Sequence, residues 1–138
     1  MVNREILQKR IEKLNEYLDF LNNIKTNYDK KEFKSSKKVY ASTERFLHLS
    51  IEALLDIGNH LIADQNLGKV NNYSDIPLIL FENNYLSEEL KELFIKIIGF
   101  RNILVHDYLD IDLDIVYQIL DKKLKDLEEI IKIFAKYL

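Results

Sequence analysis

Apolar residues recur every three or four positions along most of the chain, with charged and amide residues between them. This spacing follows the helical turn of about 3.6 residues and is typical of amphipathic α-helices. It predicts a first helix from Arg4 to about Asn27, a second and longer helix from about Phe33 to Ala63, and a last helix from Leu113 to about Tyr137.

Breaks in this pattern separate the helices. Residues 66–74 contain the asparagine, glycine and serine typical of a loop, and Pro77 suits the first turn of a short helix. Ser87, followed by two glutamates, is typical of the start of a fourth helix. The candidate capping residues are Ser74 or Asp75 for the short helix, Ser87 for the fourth, and Asp110 or Asp112 for the last.

Two glycines lie inside predicted helices, where glycine costs about 1 kcal/mol relative to alanine. At Gly58 we expect the close approach of another helix, and at Gly99 tight packing or a local bend. The chain has only 3 Gly and 1 Pro, which favours few, long helices.

These elements predict an all-α fold, an antiparallel bundle of four main helices and one short helix in a single domain over residues 1–138. The apolar faces are wide, and residues 103–105 are apolar all round the helix. This surplus favours a homodimer, with a well-packed monomer as the alternative.

Composition excludes several kinds of chemistry. The chain has no cysteine, so it has no thiolate nucleophile and no zinc–thiolate site. It shows no glycine-rich phosphate loop, and we expect no cofactor. The N-terminus turns charged at Arg4 and Glu5 with no long apolar run behind them, so we expect neither a signal peptide nor a membrane span, and the cytoplasm is the simplest location.

The net charge of −3 means that any binding to nucleic acid must come from local patches. One lysine cluster fits this description. Its members are Lys25, Lys30, Lys31, Lys34, Lys37 and Lys38. The ordinary interpretation is a solvated, lysine-rich turn between two helices.

Polar side chains that suit a phosphodiester interrupt the apolar run that follows Gly99. Arg101 carries a permanently charged fork, Asn102 an amide, and His106 a side chain that titrates near neutral pH. RNA cleavage without a metal needs a base for the 2′-hydroxyl and an acid for the leaving oxygen. One chain supplies one such histidine, so a two-fold dimer would supply both.

A structural alternative is that Arg101 and His106 only bridge to acids and tie helices together. The candidate acids are Glu52 and Asp56, whose i, i+4 spacing places them on one face of the second helix. They suit a metal, a partner for Arg101, or an ordinary ion pair with a neighbouring helix. We expect no metal site, because His48 and His60 are separated by about 120° around the helix and lack the spacing of zinc ligands.

Residues 99–108 resemble the signature of the HEPN superfamily, specifically of HepT-like toxins, with their Arg-x-x-x-x-His-x-Tyr motif. The segment Ser50–Ile62 is similar to that family's Glu-Ala…Asp-Ile-x-Asn-His segment. The resemblance extends over nearly the whole chain in size, helix order and motif position.

The resemblance implies a homodimeric, metal-independent endoribonuclease that is the toxin of a toxin–antitoxin pair. Arg101 and His106 match its catalytic residues, and Asn102 the supporting polar residue. Tyr108 matches the acceptor of AMP groups from an MNT-type nucleotidyltransferase antitoxin. The RNA target expected for the family is tRNA. The alternatives are a non-catalytic helical partner of the nucleotidyltransferase and, more weakly, a small-nucleotide binding module.

Overall fold

A computed structural model describes residues 4–106 and 112–137, and within these ranges the chain forms seven α-helices and no strand. The helices are α1 (Arg4–Asn27), α2 (Lys30–Ser35), α3 (Lys37–Asp64), α4 (Asp75–Glu82), α5 (Glu88–His106), α6 (Leu113–Lys122) and α7 (Leu124–Ala135). The predicted all-α bundle is confirmed. None of the described helices has the length and apolar character needed to cross a membrane.

Helix α3 is the centre of the bundle and contacts each of the other six described helices. Its most extensive contact is with α1, whose apolar positions recur at helical spacing as the sequence predicts. Leu14 and Leu21 of α1 and Leu47 and Leu54 of α3 are fully buried. The burial of these large apolar side chains is the main force holding the helices together.

Gly58 marks the closest packing on α3. A Cβ atom added at Gly58 would lie 2.8 Å from Ile76 Cγ2 of α4 and 3.4 Å from Phe134 Cζ of α7. The predicted close approach is therefore confirmed. At Gly99 the expectation of tight packing is wrong, because a Cβ there would meet no described atom within 4 Å and α5 continues through the residue.

The lysine-rich segment is helical rather than a turn, so the predicted start of the second helix at Phe33 is wrong. The Asp29 side chain accepts the Glu32 N–H at 2.8 Å, and Glu32 accepts the Asp29 N–H at 3.2 Å. This capping box starts α2. Ser36 then ends α2 and caps α3 by accepting the Val39 N–H at 3.3 Å.

The predicted last helix is interrupted at Lys123, which divides it into α6 and α7, and α7 ends at Ala135. Both halves contact α1 and α3, and in addition α6 contacts α2 while α7 contacts α5. No glycine, proline or capping side chain marks the interruption.

Two of the predicted caps are present. Ser87 Oγ accepts the Leu90 N–H at 3.1 Å, and Asp112 Oδ1 accepts the Asp114 N–H at 2.9 Å. The short helix differs, because Ser74 makes no side-chain cap. Asp110, the alternative cap, lies outside the described residues.

Candidate active site

An ion pair joins α3 to α5 at the predicted site. Arg101 Nε donates a hydrogen bond of 2.6 Å to Glu52 Oε1. The Arg101 side chain is only 16% exposed and that of Glu52 35%. Hydrogen bonds between ionised groups are short and strong, so this pair fixes the guanidinium against α3. Glu52 is thus in contact with Arg101, as one of the interpretations from the sequence has it, and this contact is also an ion pair between two helices.

His48 approaches the same carboxylate oxygen from within α3. Its Nε2 lies 3.3 Å from Glu52 Oε1, one helical turn away. Glu52 therefore joins a histidine of α3 to the arginine of α5. His60 has a different neighbour, Asp56, so the two histidines are independent as the sequence predicts.

Tyr73 covers the guanidinium from the loop between α3 and α4. The Arg101 Cζ atom lies 4.6 Å from the centre of the Tyr73 ring. This distance is within the range of cation–π attraction, and arginine stacks well on aromatic faces. The loop thus contributes to the position of Arg101.

Asp75 fixes the loop that carries Tyr73. Its Oδ2 accepts the backbone N–H groups of Asn71 and Asn72, each at 2.9 Å. These two hydrogen bonds hold the pKa of the Asp75 carboxyl below its usual range, with the bond from Asn72 contributing most. The Asp75 side chain, a predicted cap of the short helix, thus binds the backbone of the preceding loop.

Asn102 lies beside the arginine on the exposed side of α5. Arg101 Nη1 donates to Asn102 Oδ1 at 3.4 Å, a long hydrogen bond. The two side chains therefore turn toward each other, although their positions on a helix are about 100° apart. Asn102 also lines an open groove of about 590 Å³ that includes Tyr73.

Asp56 has other ion-pair partners than Glu52. Its Oδ2 lies 2.8 Å from Arg10 Nη1 of α1, and its Oδ1 lies 3.6 Å from His60 Nε2. The two predicted carboxylates therefore pair with different helices, Glu52 with α5 and Asp56 with α1. Within residues 4–106 and 112–137, no three histidine or carboxylate side chains converge as metal ligands do.

His106 is the last residue of α5, four positions after Asn102. Its side chain and all of Tyr108 lie outside the described residues. The catalytic role of His106 and the modification of Tyr108 stay predictions, as do the roles of Arg101 and Asn102 in catalysis.

Two members of the lysine cluster lie against the start of α6. Lys34 Nζ and Lys30 Nζ lie 3.0 and 3.2 Å from Asp114 Oδ1. Hydrogen bonds from Lys34 and then Lys30 lower the pKa of the Asp114 carboxyl. Helix α6 is the next helix after His106 in the sequence. The lysines of α2 therefore lie at the start of the helix that follows the Arg-x-x-x-x-His motif.

Two residues of the site were not predicted from the sequence. Tyr73 is the one aromatic residue of the segment 66–74. The asparagine, glycine and serine content of this segment predicted a loop but gave no role to the tyrosine. His48 and Glu52 have the i, i+4 spacing that places two side chains on one helical face.

Comparison with known proteins decides the family. A family model described as Ribonuclease HepT-like matches residues 7–134. The chain belongs to this HepT-like ribonuclease family. The resemblance found in the 99–108 motif and in Ser50–Ile62 is confirmed at the level of the family.

Two curated relatives of this HepT-like chain are named as nucleases. The mRNA nuclease HepT of Shewanella oneidensis is 34% identical over 105 residues, which cover 76% of this chain and 79% of the relative. The tRNA nuclease HepT of Aphanizomenon flos-aquae is 33% identical over 107 residues, covering 78% of this chain and 72% of the relative.

The fold also matches a solved toxin. A tri-AMPylated HEPN toxin of Shewanella oneidensis, in complex with MNT antitoxin, superposes with a TM-score of 0.86 at 29% identity. The match covers 98% of this chain and 99% of the toxin. The HepT-like chain therefore shares the fold of this HEPN toxin.

Proposed function

We propose that this HepT-like chain is an endoribonuclease toxin of a toxin–antitoxin pair and cleaves RNA without a metal ion. The names of its relatives support a ribonuclease, because two of them are an mRNA nuclease and a tRNA nuclease. The likeness to a HEPN toxin in complex with MNT antitoxin supports the same pairing here.

The observation that carries the proposal is the fixed position of Arg101 on α5, shortly before His106. The bond to Glu52 uses the Nε–H of a guanidinium that has five N–H groups. The stack on Tyr73 limits rotation of the fork. A cation held in advance at the reacting phosphate stabilises the charge that develops in the transition state.

The reaction follows from the motif. One His106 takes the proton of the ribose 2′-hydroxyl, and the 2′-oxygen attacks phosphorus. The bond to the 5′-oxygen breaks, and the second His106 of a homodimer protonates that oxygen. The products are a 2′,3′-cyclic phosphate and a 5′-hydroxyl, and Arg101 stabilises the phosphorane charge.

Silencing occurs at Tyr108 in this proposal. An MNT-type nucleotidyltransferase transfers AMP from ATP to the phenol oxygen and releases pyrophosphate. Tyr108 lies two residues after His106 in the sequence. An anionic adduct there would repel the RNA backbone from the neighbouring catalytic residues.

The nuclease is tested with purified protein and RNA in the presence of EDTA. We expect cleavage to continue, to be lost in His106→Ala, and to be unchanged in the control His60→Ala, whose histidine contacts Asp56 instead. Loss of cleavage in EDTA would exclude the metal-independent mechanism. Equal cleavage by His106→Ala and the wild type would exclude the role of His106.

The silencing is tested by intact-mass measurement after co-expression with the neighbouring open reading frame. We expect mass to be added in AMP-sized steps in the wild type and no such addition in Tyr108→Phe. Addition to Tyr108→Phe would place the modification at another residue.

A second function is favoured by the same ion pair. If the contact between Arg101 and Glu52 only ties α3 to α5, the chain is a non-catalytic partner of the nucleotidyltransferase. This alternative predicts a stable complex, no RNA cleavage, and a marked loss of thermal stability in Arg101→Ala.

A further inference from the structure

The loop between α3 and α4 presents an aromatic ring beside the candidate catalytic arginine. Tyr73 is 42% exposed although its ring lies 4.6 Å from Arg101 Cζ. A large aromatic side chain that stays accessible to solvent while it contacts a guanidinium can stack on a second group. The rings of nucleobases are the groups that RNA offers for such stacking.

The loop holds a defined shape. Its start is the end of α3, where Asn66 has a φ of 51° and the Leu67 N–H bonds to Ile62 O at 3.0 Å. This is a Schellman motif, which fixes the direction of the chain as it leaves a helix. At the other end, the Asp75 carboxylate holds two consecutive backbone N–H groups. A binding surface that is ordered in advance loses less entropy when it binds.

The groove beside Tyr73 has a volume of about 590 Å³, which is in the size range of small-molecule sites. Its described lining is uncharged and, beside the phenol of Tyr73, includes three amides and a serine hydroxyl. The polar side chains are Asn71, Asn72, Asn102 and Ser74. Amides carry both donors and acceptors, as the edges of nucleobases do. None of the described residues that line the groove is charged, and the nearby Arg101 guanidinium stacks on Tyr73. The described lining therefore favours a neutral heterocycle over a phosphate as the occupant.

We propose that this groove is a nucleobase subsite for RNA, in which a base next to the cleaved phosphodiester stacks on Tyr73. The amides of Asn71, Asn72 and Asn102 hydrogen-bond the edge of that base. The proposal rests on the proposed ribonuclease function, and it adds a substrate-contacting residue outside the Arg-x-x-x-x-His motif. It also makes Tyr73 a residue that determines which RNA is cleaved.

The test measures the binding of a short, fluorescein-labelled single-stranded RNA by anisotropy in a His106→Ala background, which prevents cleavage. Stacking of a base on an aromatic residue contributes about 1–3 kcal/mol, so we expect Tyr73→Ala to weaken binding by about 5- to 150-fold. Tyr73→Phe keeps the ring and should bind within about threefold of its parent. The matched control is Tyr137→Ala, whose tyrosine is 46% exposed and packs against Tyr85 instead.

A second measurement separates stacking on a base from an effect of Tyr73 on the position of Arg101. An abasic ribose is placed in turn at each nucleotide around the mapped cleavage site. In the parent protein one position should weaken binding, and in Tyr73→Ala that same position should no longer matter, because the base and the ring contribute through one contact. An abasic penalty that is the same in both proteins would overturn the proposal.

The outcomes distinguish the two proposals. If the wild type cleaves RNA while Tyr73→Ala binds as well as its parent, the subsite is wrong and the ribonuclease stands. If the wild type cleaves no RNA but Tyr73→Ala loses binding, the subsite stands as an RNA-binding surface and the ribonuclease is wrong. Circular dichroism and the thermal midpoint confirm that each variant is folded.

Discussion

Helix α3 meets its neighbours through two contrasting contacts. Around Gly58 the contact is apolar and close, with Ile76 and Phe134 against the helix backbone. Around Glu52 the contact is charged, with Arg101 and His48 sharing one carboxylate oxygen. We call the contact around Gly58 the packed crossing of α3 and the contact around Glu52 its ionic crossing.

The two crossings should contribute differently to stability. Burial of large apolar side chains stabilises the fold directly. An ion pair must first lose the hydration of both charges, so it contributes little net free energy and is weak evidence for a stabilising role. The role that best explains the ion pair is therefore to position the Arg101 guanidinium at the candidate active site.

The largest effect on stability is expected at the packed crossing. Phe134 is 2% exposed, has its Cζ 3.4 Å from the position of a Cβ added at Gly58, and lies edge-on to Phe94 at 6.4 Å between ring centres. Phe134→Ala should lower the free energy of unfolding by about 3–5 kcal/mol, measured by urea denaturation. The control Leu78→Ala, at a side chain 39% exposed, should lose less than about 1 kcal/mol. Equal losses would show that Phe134 is not central to the core.

A smaller effect is expected when a methyl group is added to each of two glycines. Gly58→Ala places a Cβ 2.8 Å from Ile76 Cγ2, and we expect a net loss of about 1–2 kcal/mol. Gly99→Ala places a Cβ with no described atom within 4 Å, and we expect a gain of about 0.4–1 kcal/mol. Thermal denaturation of both variants measures the difference. A gain at both positions would contradict the close approach at Gly58.

The ionic crossing should affect cleavage more than stability. Glu52→Gln keeps the shape but removes the charge that holds Arg101, and we expect a loss of only about 1 kcal/mol in unfolding free energy. Cleavage by the folded protein should fall about tenfold or more, because the guanidinium is less well positioned. The matched control is Asp56→Asn, which breaks the pair with Arg10 and should leave cleavage unchanged. Equal effects of the two variants on cleavage would remove the distinction between these carboxylates.

The smallest effect is expected at the loop that carries Tyr73. Because the pKa of Asp75 is lowered in the folded state, the ionised carboxylate stabilises the fold above the usual carboxyl pKa of about 3.9. This contribution is lost as the pH falls through the lowered pKa. Asp75→Asn should therefore melt slightly below the wild type at neutral pH, and the difference should shrink in acid. A difference that grows in acid would contradict the sign.

The sequence predicted those helix starts whose signal is local and strong. Ser87 and Asp112 combine a capping side chain with the start of an apolar period, and both caps are present. The start of α2 also has a local signal, Asp29 and Glu32 in a capping box, but the surrounding lysines favoured a turn. The interruption at Lys123 has no local signal, because no glycine, proline or capping side chain marks it.

The candidate site was predictable as far as it lies in one segment. Arg101 and Asn102 are adjacent in the motif, and their chemistry is evident from residue type. The contact of Arg101 with Glu52 joins residues of two helices and was one of several alternatives. Tyr73 reaches Arg101 only because a separate loop folds over α5, and the periodicity of the helices contains no information on that contact.

We propose that Arg101 is held against Glu52 for catalysis. RNA cleavage and the free energy of unfolding, measured on the same samples of Arg101→Ala and Arg10→Ala, test this role. Both variants remove an arginine that pairs with a carboxylate of α3. We predict that Arg101→Ala lowers kcat/KM by about 100-fold or more while both variants lose similar, small amounts of stability. Cleavage retained in Arg101→Ala together with a marked loss of stability would contradict the claim.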